Sequence, residues 1–159
     1  MAELALVASI VQVADIGLRL SLRLYTFGET VATADRSILT ISKDVSLTSS
    51  VLKELGDVFD GDQGRIRSDN ATATAKEVVR ECQNVFQEMD DLLLKKAPYM
   101  KLGLACKDRR ARAEKMLERL QWPAIKGKIE LLNCNLEKMK STLTLMLNVI
   151  IYAQLVSKK

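Results

Sequence analysis

The sequence predicts an all-α protein: an antiparallel four-helix bundle with a short extra helix before its last long helix. Three observations carry that prediction. Apolar residues fill 48% of the 159 positions, while Gly (7), Pro (2) and aromatics (4%) are scarce, a balance that favours long helices over turn-rich sheets. Apolar residues also recur at alternating steps of three and four along most of the chain, the period of one helix face. Finally, this length suits one domain with a single core, so residues 1–159 read as one unit.

The first helix, about residues 3–26, is apolar nearly all round at its start. Leu4, Leu6, Val7, Ile10, Val11 and Val13 crowd its first half, and only Gln12, Asp15, Arg19 and Arg23 form a polar stripe. Such a helix reads as the most buried stave of a bundle. The same six apolar residues are the candidates for entering lipid, because a helix buried at rest can be the one exposed on activation. Glu3 stands where a secretory signal carries basic residues, so the run is not expected to be a signal peptide. It is also shorter than the roughly 20 apolar residues that span a bilayer.

The second helix, about 30–59, follows from Val31, Ala34, Ile38, Ile41, Val45, Thr48, Leu52, Leu55 and Phe59, a seam four heptads long. It stops in FDGDQGRIRSDN (59–70), where Asp60-Gly61 and Gly64 suit a turn and Ser68, Asn70 or Thr72 can cap the next helix. The third, about 71–97, has Ala71, Ala75, Val78, Cys82, Val85, Met89 and Leu92 as its seam, widened by Val79, Phe86 and Leu93. Pro98 ends it, since the residue before a proline avoids the helical conformation. A short helix is expected over Lys107 to Leu120. The last helix, about 124–156, takes Pro123 as a first-turn proline after a core Trp122. Its seam is Ile125, Ile129, Leu132, Leu136, Met139, Leu143, Met146, Ile150 and Ala153. The same heptads could build an extended coiled coil. Three of them joined by connections, each wider than a strict two-position seam, pack instead as an intramolecular bundle.

The residues offer little chemistry. The sequence holds no histidine, the commonest acid/base at neutral pH, and no phosphate loop, HExxH, GxSxG or GxGxxG. A di-iron bundle needs Glu-x-x-His. No catalytic, cofactor-binding or metal residue is expected, and Asp90-Asp91 and Glu77/Glu81 read as solvated helix surface. Cys82, Cys106 and Cys134 have neither disulfide-framework nor CxxC spacing and read as reduced, mostly buried thiols of an intracellular protein.

Charge is uneven. Residues 95–128 hold eleven Lys or Arg against three acidic residues, whereas 54–94 hold ten acidic and four basic ones. Lys107, Arg109, Arg110, Arg112, Lys115 and Arg119 form the densest basic stretch. It reads either as a solvated face laced by Asp108-Arg112 and Arg110-Glu114 pairs, or as a patch for anionic lipid, where each cation contributes roughly 1 kcal/mol. Nucleic acid is not an expected partner, because no aromatic platform or recognition motif accompanies the charge.

MAELALVASIVQVADIGLRLSLRLYTFGE, then SILTISKDVSLTSSVLKELGDVF, then RLQWPAIKGKIELLNCNLEKMKSTLTLMLNVI, together resemble the fungal N-terminal domain of STAND (NLR-like) proteins, the HeLo-like group. The most specific part is Trp122 and Pro123 leading into Leu136, Glu137, Lys140, Ser141, Thr142, Leu143, Leu145 and Leu147. A more distant similarity is to the four-helix domain of the mixed-lineage kinase-like pseudokinase. The resemblance implies a cytoplasmic module of a larger protein that oligomerises and is recruited to the plasma membrane to execute programmed cell death, its first helix delivered to the bilayer. Its implied partners are further copies of itself, anionic lipids and other helical domains. The alternative function is a helical adaptor that binds itself or another protein without lysis.

Overall fold

The computed structural model describes residues 2–30, 36–61, 69–96 and 109–157, with side chains over 4–29, 36–61, 69–94 and 122–156. All the described residues are helical: α1 (Ala2–Thr30), α2 (Arg36–Gly61), α3 (Asp69–Lys96) and α4 (Arg109–Ser157). Val31, Ala34 and Ser68, assigned above to a seam and a cap, lie outside the described residues, as does Cys106.

Contacts between helices fix their directions. Gly28 meets Ile38 and Gly56 meets Ile10, so α1 and α2 run antiparallel. Gly17 lies against Phe86 and Arg23 pairs with Asp90, which makes α1 and α3 parallel. Lys128 reaches Glu88 and Met139 meets Cys82, so α4 is antiparallel to α3. The result is an up-down-up-down bundle in which α1 lies beside α2 and α3, and α4 beside the same two. Consecutive helices α2 and α3 therefore occupy a diagonal.

The closest approach is between α1 and α2. Small residues recur every seven positions on both: Ala14, Ser21 and Gly28 on α1, Ser42, Ser49 and Gly56 on α2, all buried. Ser21 Oγ donates to the Ser42 carbonyl at 2.9 Å, and Ser42 Oγ donates to the Ser21 carbonyl at 2.8 Å. Both buried hydroxyls are thus satisfied across the seam, as burial requires. A Cβ added at Gly17 would overlap Ser49 Oγ and stand 2.6 Å from Phe86 Cε2. No larger residue fits there.

The core takes Leu6, Ile10, Val13, Leu20, Leu24 and Phe27 from α1, and Ile38, Ile41, Val45, Thr48, Leu52, Leu55 and Phe59 from α2. In α3 the centre of the buried face is Ala75, Val79, Cys82, Phe86, Met89 and Leu93, with Val85 also buried and Val78 and Leu92 half-buried at its edge. The residues assigned to widen the seam are its middle, because α3 touches both α1 and α4 and its face points between them. Burial raises the Cys82 thiol to about 12, with a smaller push from the charge of Glu81. From α4, Trp122, Ile125, Ile129, Leu132, Leu136, Leu143 and Leu147 are buried, while Met139, Met146 and Ile150 pack partly against the core. Cys134, expected among the buried thiols, is exposed, since it lies on the outward side of the turn between Leu132 and Leu136.

The separate short helix over Lys107 to Leu120 is not found. Arg109–Ser157 is a single helix of 49 residues with Pro123 inside it. An internal proline removes one backbone donor and costs about 3 kcal/mol, but no glycine, asparagine or other turn residue stands between Leu120 and Trp122 to end the helix. Trp122 packs on Phe27 with ring centroids 5.5 Å apart, which holds this stretch against the top of α1.

Two glycines test the packing. Gly17→Ala should destabilise the fold by about 1 to 3 kcal/mol through overpacking, whereas Gly127→Ala, whose Cβ meets nothing within 4 Å, should stabilise it by up to about 1 kcal/mol; urea denaturation measures both. Cys82 gives a pH test. Its folded pKa is raised above the unfolded 9.0, so its contribution to stability is intact below pH 9 and falls as pH rises towards 12. In a Cys106→Ser background a thiol reagent at neutral pH should modify Cys134 at once and Cys82 only on unfolding.

Candidate interaction surfaces

Helix α1 carries two heptad seams on nearly opposite sides. The inward seam is Leu6, Ile10, Val13, Gly17, Leu20, Leu24 and Phe27, all buried; two residues earlier at each step runs Leu4, Ala8, Val11, Asp15, Leu18, Leu22 and Tyr25, all exposed. The structure thereby divides the six candidates for lipid entry. Leu6, Ile10 and Val13 lie in the core, Val7 packs half-buried against it, and Leu4 and Val11 face outward at 66% and 49% exposure. A charge at Leu6 is therefore a core substitution, and Leu4 is the position that spares the fold.

The polar residues of α1 are paired. Arg19 reaches Asp15 one turn earlier at 2.7 Å. Arg23 donates to Asp90 of α3 at 2.6 Å, so Asp90 is an interhelical partner and not bare solvated surface. The first pair is largely exposed and the second half-exposed, and pairs so open to solvent contribute about 1 kcal/mol or less.

Helix α4 supplies a second apolar surface, one that sequence periodicity passed over. α1 to α3 are 26 to 29 residues long, about 40 Å, against about 74 Å for α4 at 1.5 Å per residue. With Trp122 level with Phe27 near the top of α1, its neighbours are exhausted roughly 26 residues later. Leu147 is in fact the last buried side chain among the described residues. Beyond and around it, Leu145, Val149, Tyr152 and Val156 form a stripe 55 to 70% exposed, flanked by Leu155. The seam assigned as far as Ala153 thus outruns its partners. The mismatch in helix length is the signal that locates this surface, and the part of α4 after Pro123 is by itself longer than α1, α2 or α3.

The basic candidates fall at the other end of α4. Arg109, Arg110, Arg112, Lys115 and Arg119 lie on its first three turns, with the Cα atoms of Arg112, Lys115 and Arg119 on one side by their spacing of three and four. Their side chains, and the whole of Lys107, lie outside the described residues.

Between α2 and α4 sits one polar station. Asn133 Nδ2 donates to Asp44 Oδ2 at 3.0 Å, Lys140 Nζ is 3.9 Å from Asp44 Oδ1, and Lys140 also pairs with Glu137. Asn133 Oδ1 is buried without a hydrogen-bond partner. Among the described residues no three His, Cys, Asp or Glu side chains gather as metal ligands.

Comparison with known proteins finds no matching family model, no matching curated protein and no matching solved structure.

Proposed function

We propose that this chain is a non-enzymatic effector or signalling domain that works by self-association and membrane contact, recruited from the cytoplasm to the plasma membrane as its HeLo-like resemblance implies. One observation carries the reading. Two helices are long and apolar enough to cross a membrane by length and composition, Leu4–Glu29 and Trp122–Val156, and only 39% and 11% of their apolar windows are buried.

The two stretches have different roles in this reading. The tip of α4 is already uncovered and lies at the same end of the bundle as the start of α1, so it makes first contact with lipid. Helix α1 exchanges protein for lipid afterwards, and its departure frees Leu6, Ile10 and Val13. Asp15, Arg19 and Arg23 oppose insertion by roughly 2.5 to 3.5 kcal/mol each at mid-bilayer. The Asp15-Arg19 pair lowers that cost by entering with no net charge. The basic turns of α4 lie at the opposite end of the helix from its apolar tip. One flat bilayer meets both only if α4 lies along its surface.

The test uses the purified chain, with and without a fused oligomeriser, on dye-loaded vesicles of anionic or neutral lipid. Leakage from anionic vesicles on clustering is the expected result. Tyr152→Glu with Val149→Glu should reduce vesicle binding with the helical circular dichroism unchanged, and Leu4→Glu should reduce leakage more than binding. Arg112, Lys115 and Arg119 changed to Glu separate the two orientations: binding is lost if α4 lies flat and kept if the bundle docks tip first. A clustered wild-type domain that neither leaks vesicles nor kills cells would replace this reading with the helical adaptor.

A further inference from the structure

From the outward seam of α1 we infer that a second copy of this chain docks on it, the two α1 helices lying antiparallel across a two-fold axis between residues 16 and 17. The seam has the alternating spacing of a two-stranded coiled coil over nearly three heptads, a length that one facing helix can cover. It is independent of the membrane reading, because this association takes place in solution at rest.

Charge and size select this partner and this register. With the axis between residues 16 and 17, Asp15 of one copy is level with Leu18 and Arg19 of the other. The Asp15-Arg19 pair that closes within each helix at 2.7 Å can then be exchanged, the two copies' two pairs becoming two between helices. The same register sets Val11 against Leu22, and sets the small Ala8 against the large Tyr25. Volumes therefore interlock along the seam, as knobs-into-holes packing requires. Isologous contact of this kind, one patch against itself, closes at two subunits. Val11, Leu18, Leu22 and Tyr25 are each 49 to 62% exposed in the single chain, a row of apolar side chains that a facing helix would remove from water.

Among the described residues, the neighbouring helices leave this side of α1 uncovered. Helices α2 and α3 take the remaining sides of α1, through Ser21 and Gly28 on one flank and Arg23 on the other. The seam lies between those flanks.

Sedimentation equilibrium of the whole chain without lipid tests this. The wild type should weigh twice the 17.7 kDa of one chain, and Leu18→Glu should weaken the dimer about 100-fold, the scale of a central interface residue, with its helical circular dichroism unchanged. Charge exchange tests the register. Asp15→Lys alone and Arg19→Glu alone should each be monomeric, since each places like charges across the axis. An equimolar mixture of the two should dimerise again, because the introduced lysine then faces the introduced glutamate while the native Arg19 of one copy faces the native Asp15 of the other. A monomeric wild type overturns the proposal, and if Leu18→Glu then also loses vesicle binding the face belongs to lipid. A dimer that survives Leu18→Glu, or a mixture that stays monomeric while the wild type dimerises, likewise overturns it.

Discussion

The close approach of α1 to α2 is the constraint from which the other surfaces follow. Gly17 leaves no room for a side chain between Ser49 and Phe86, and Ser21 and Ser42 bond each other's backbone across the gap. Hydroxyl groups are costly in a core unless satisfied, and here the two backbones are near enough for Ser21 and Ser42 each to reach the other's carbonyl. A pair of bulkier apolar residues would push the helices apart and lose both bonds. Small residues also bury little area. The seam consumes Ala14, Ser21 and Gly28 on one flank of α1, which leaves the larger Leu4, Val11, Leu18, Leu22 and Tyr25 no place inside.

The second constraint is length. A bundle covers a helix only as far as its partners extend, and α4 outlasts them. The Phe27–Trp122 contact sets where coverage begins, and the reach of the three shorter helices sets where it ends, at Leu147. Tyr152, Leu155 and Val156 are thus uncovered by register, whereas Leu145 and Val149 are exposed because they face outward beside the buried Leu143 and Leu147. The buried stretch and the tip that follows it have the same apolar periodicity, and only one of them meets a partner.

Polar contacts between helices add orientation more than energy. Arg23-Asp90 is exposed enough to be worth little in stability, but it favours the alignment that brings Arg23 of α1 level with Asp90 of α3. The Asp44-Asn133-Lys140 station does the same for α2 on α4, between the buried Ile129, Leu132 and Leu136.

Four helices, their order and most of their inward residues were legible in the sequence, because a step of three and four can only place those residues on one helix face. Ile38, Val45, Leu52, Cys82, Met89, Ile129, Leu136 and Leu143 are buried by that rule alone. Periodicity does not say what a face meets. It could not decide that Val79 and Leu93 outrank Val78 and Leu92, because that depends on α3 pointing between two neighbours. Nor could it divide α1, where nearly every position is apolar and both seams satisfy the same spacing. A proline at a helix start and one inside a helix look identical in sequence, so the turns that α4 adds before Pro123, Arg109 to Trp122, were hidden too. The sequence determined which residues can share a face; only the tertiary structure decided which faces are covered, because burial depends on where the neighbouring helices lie and how far they reach.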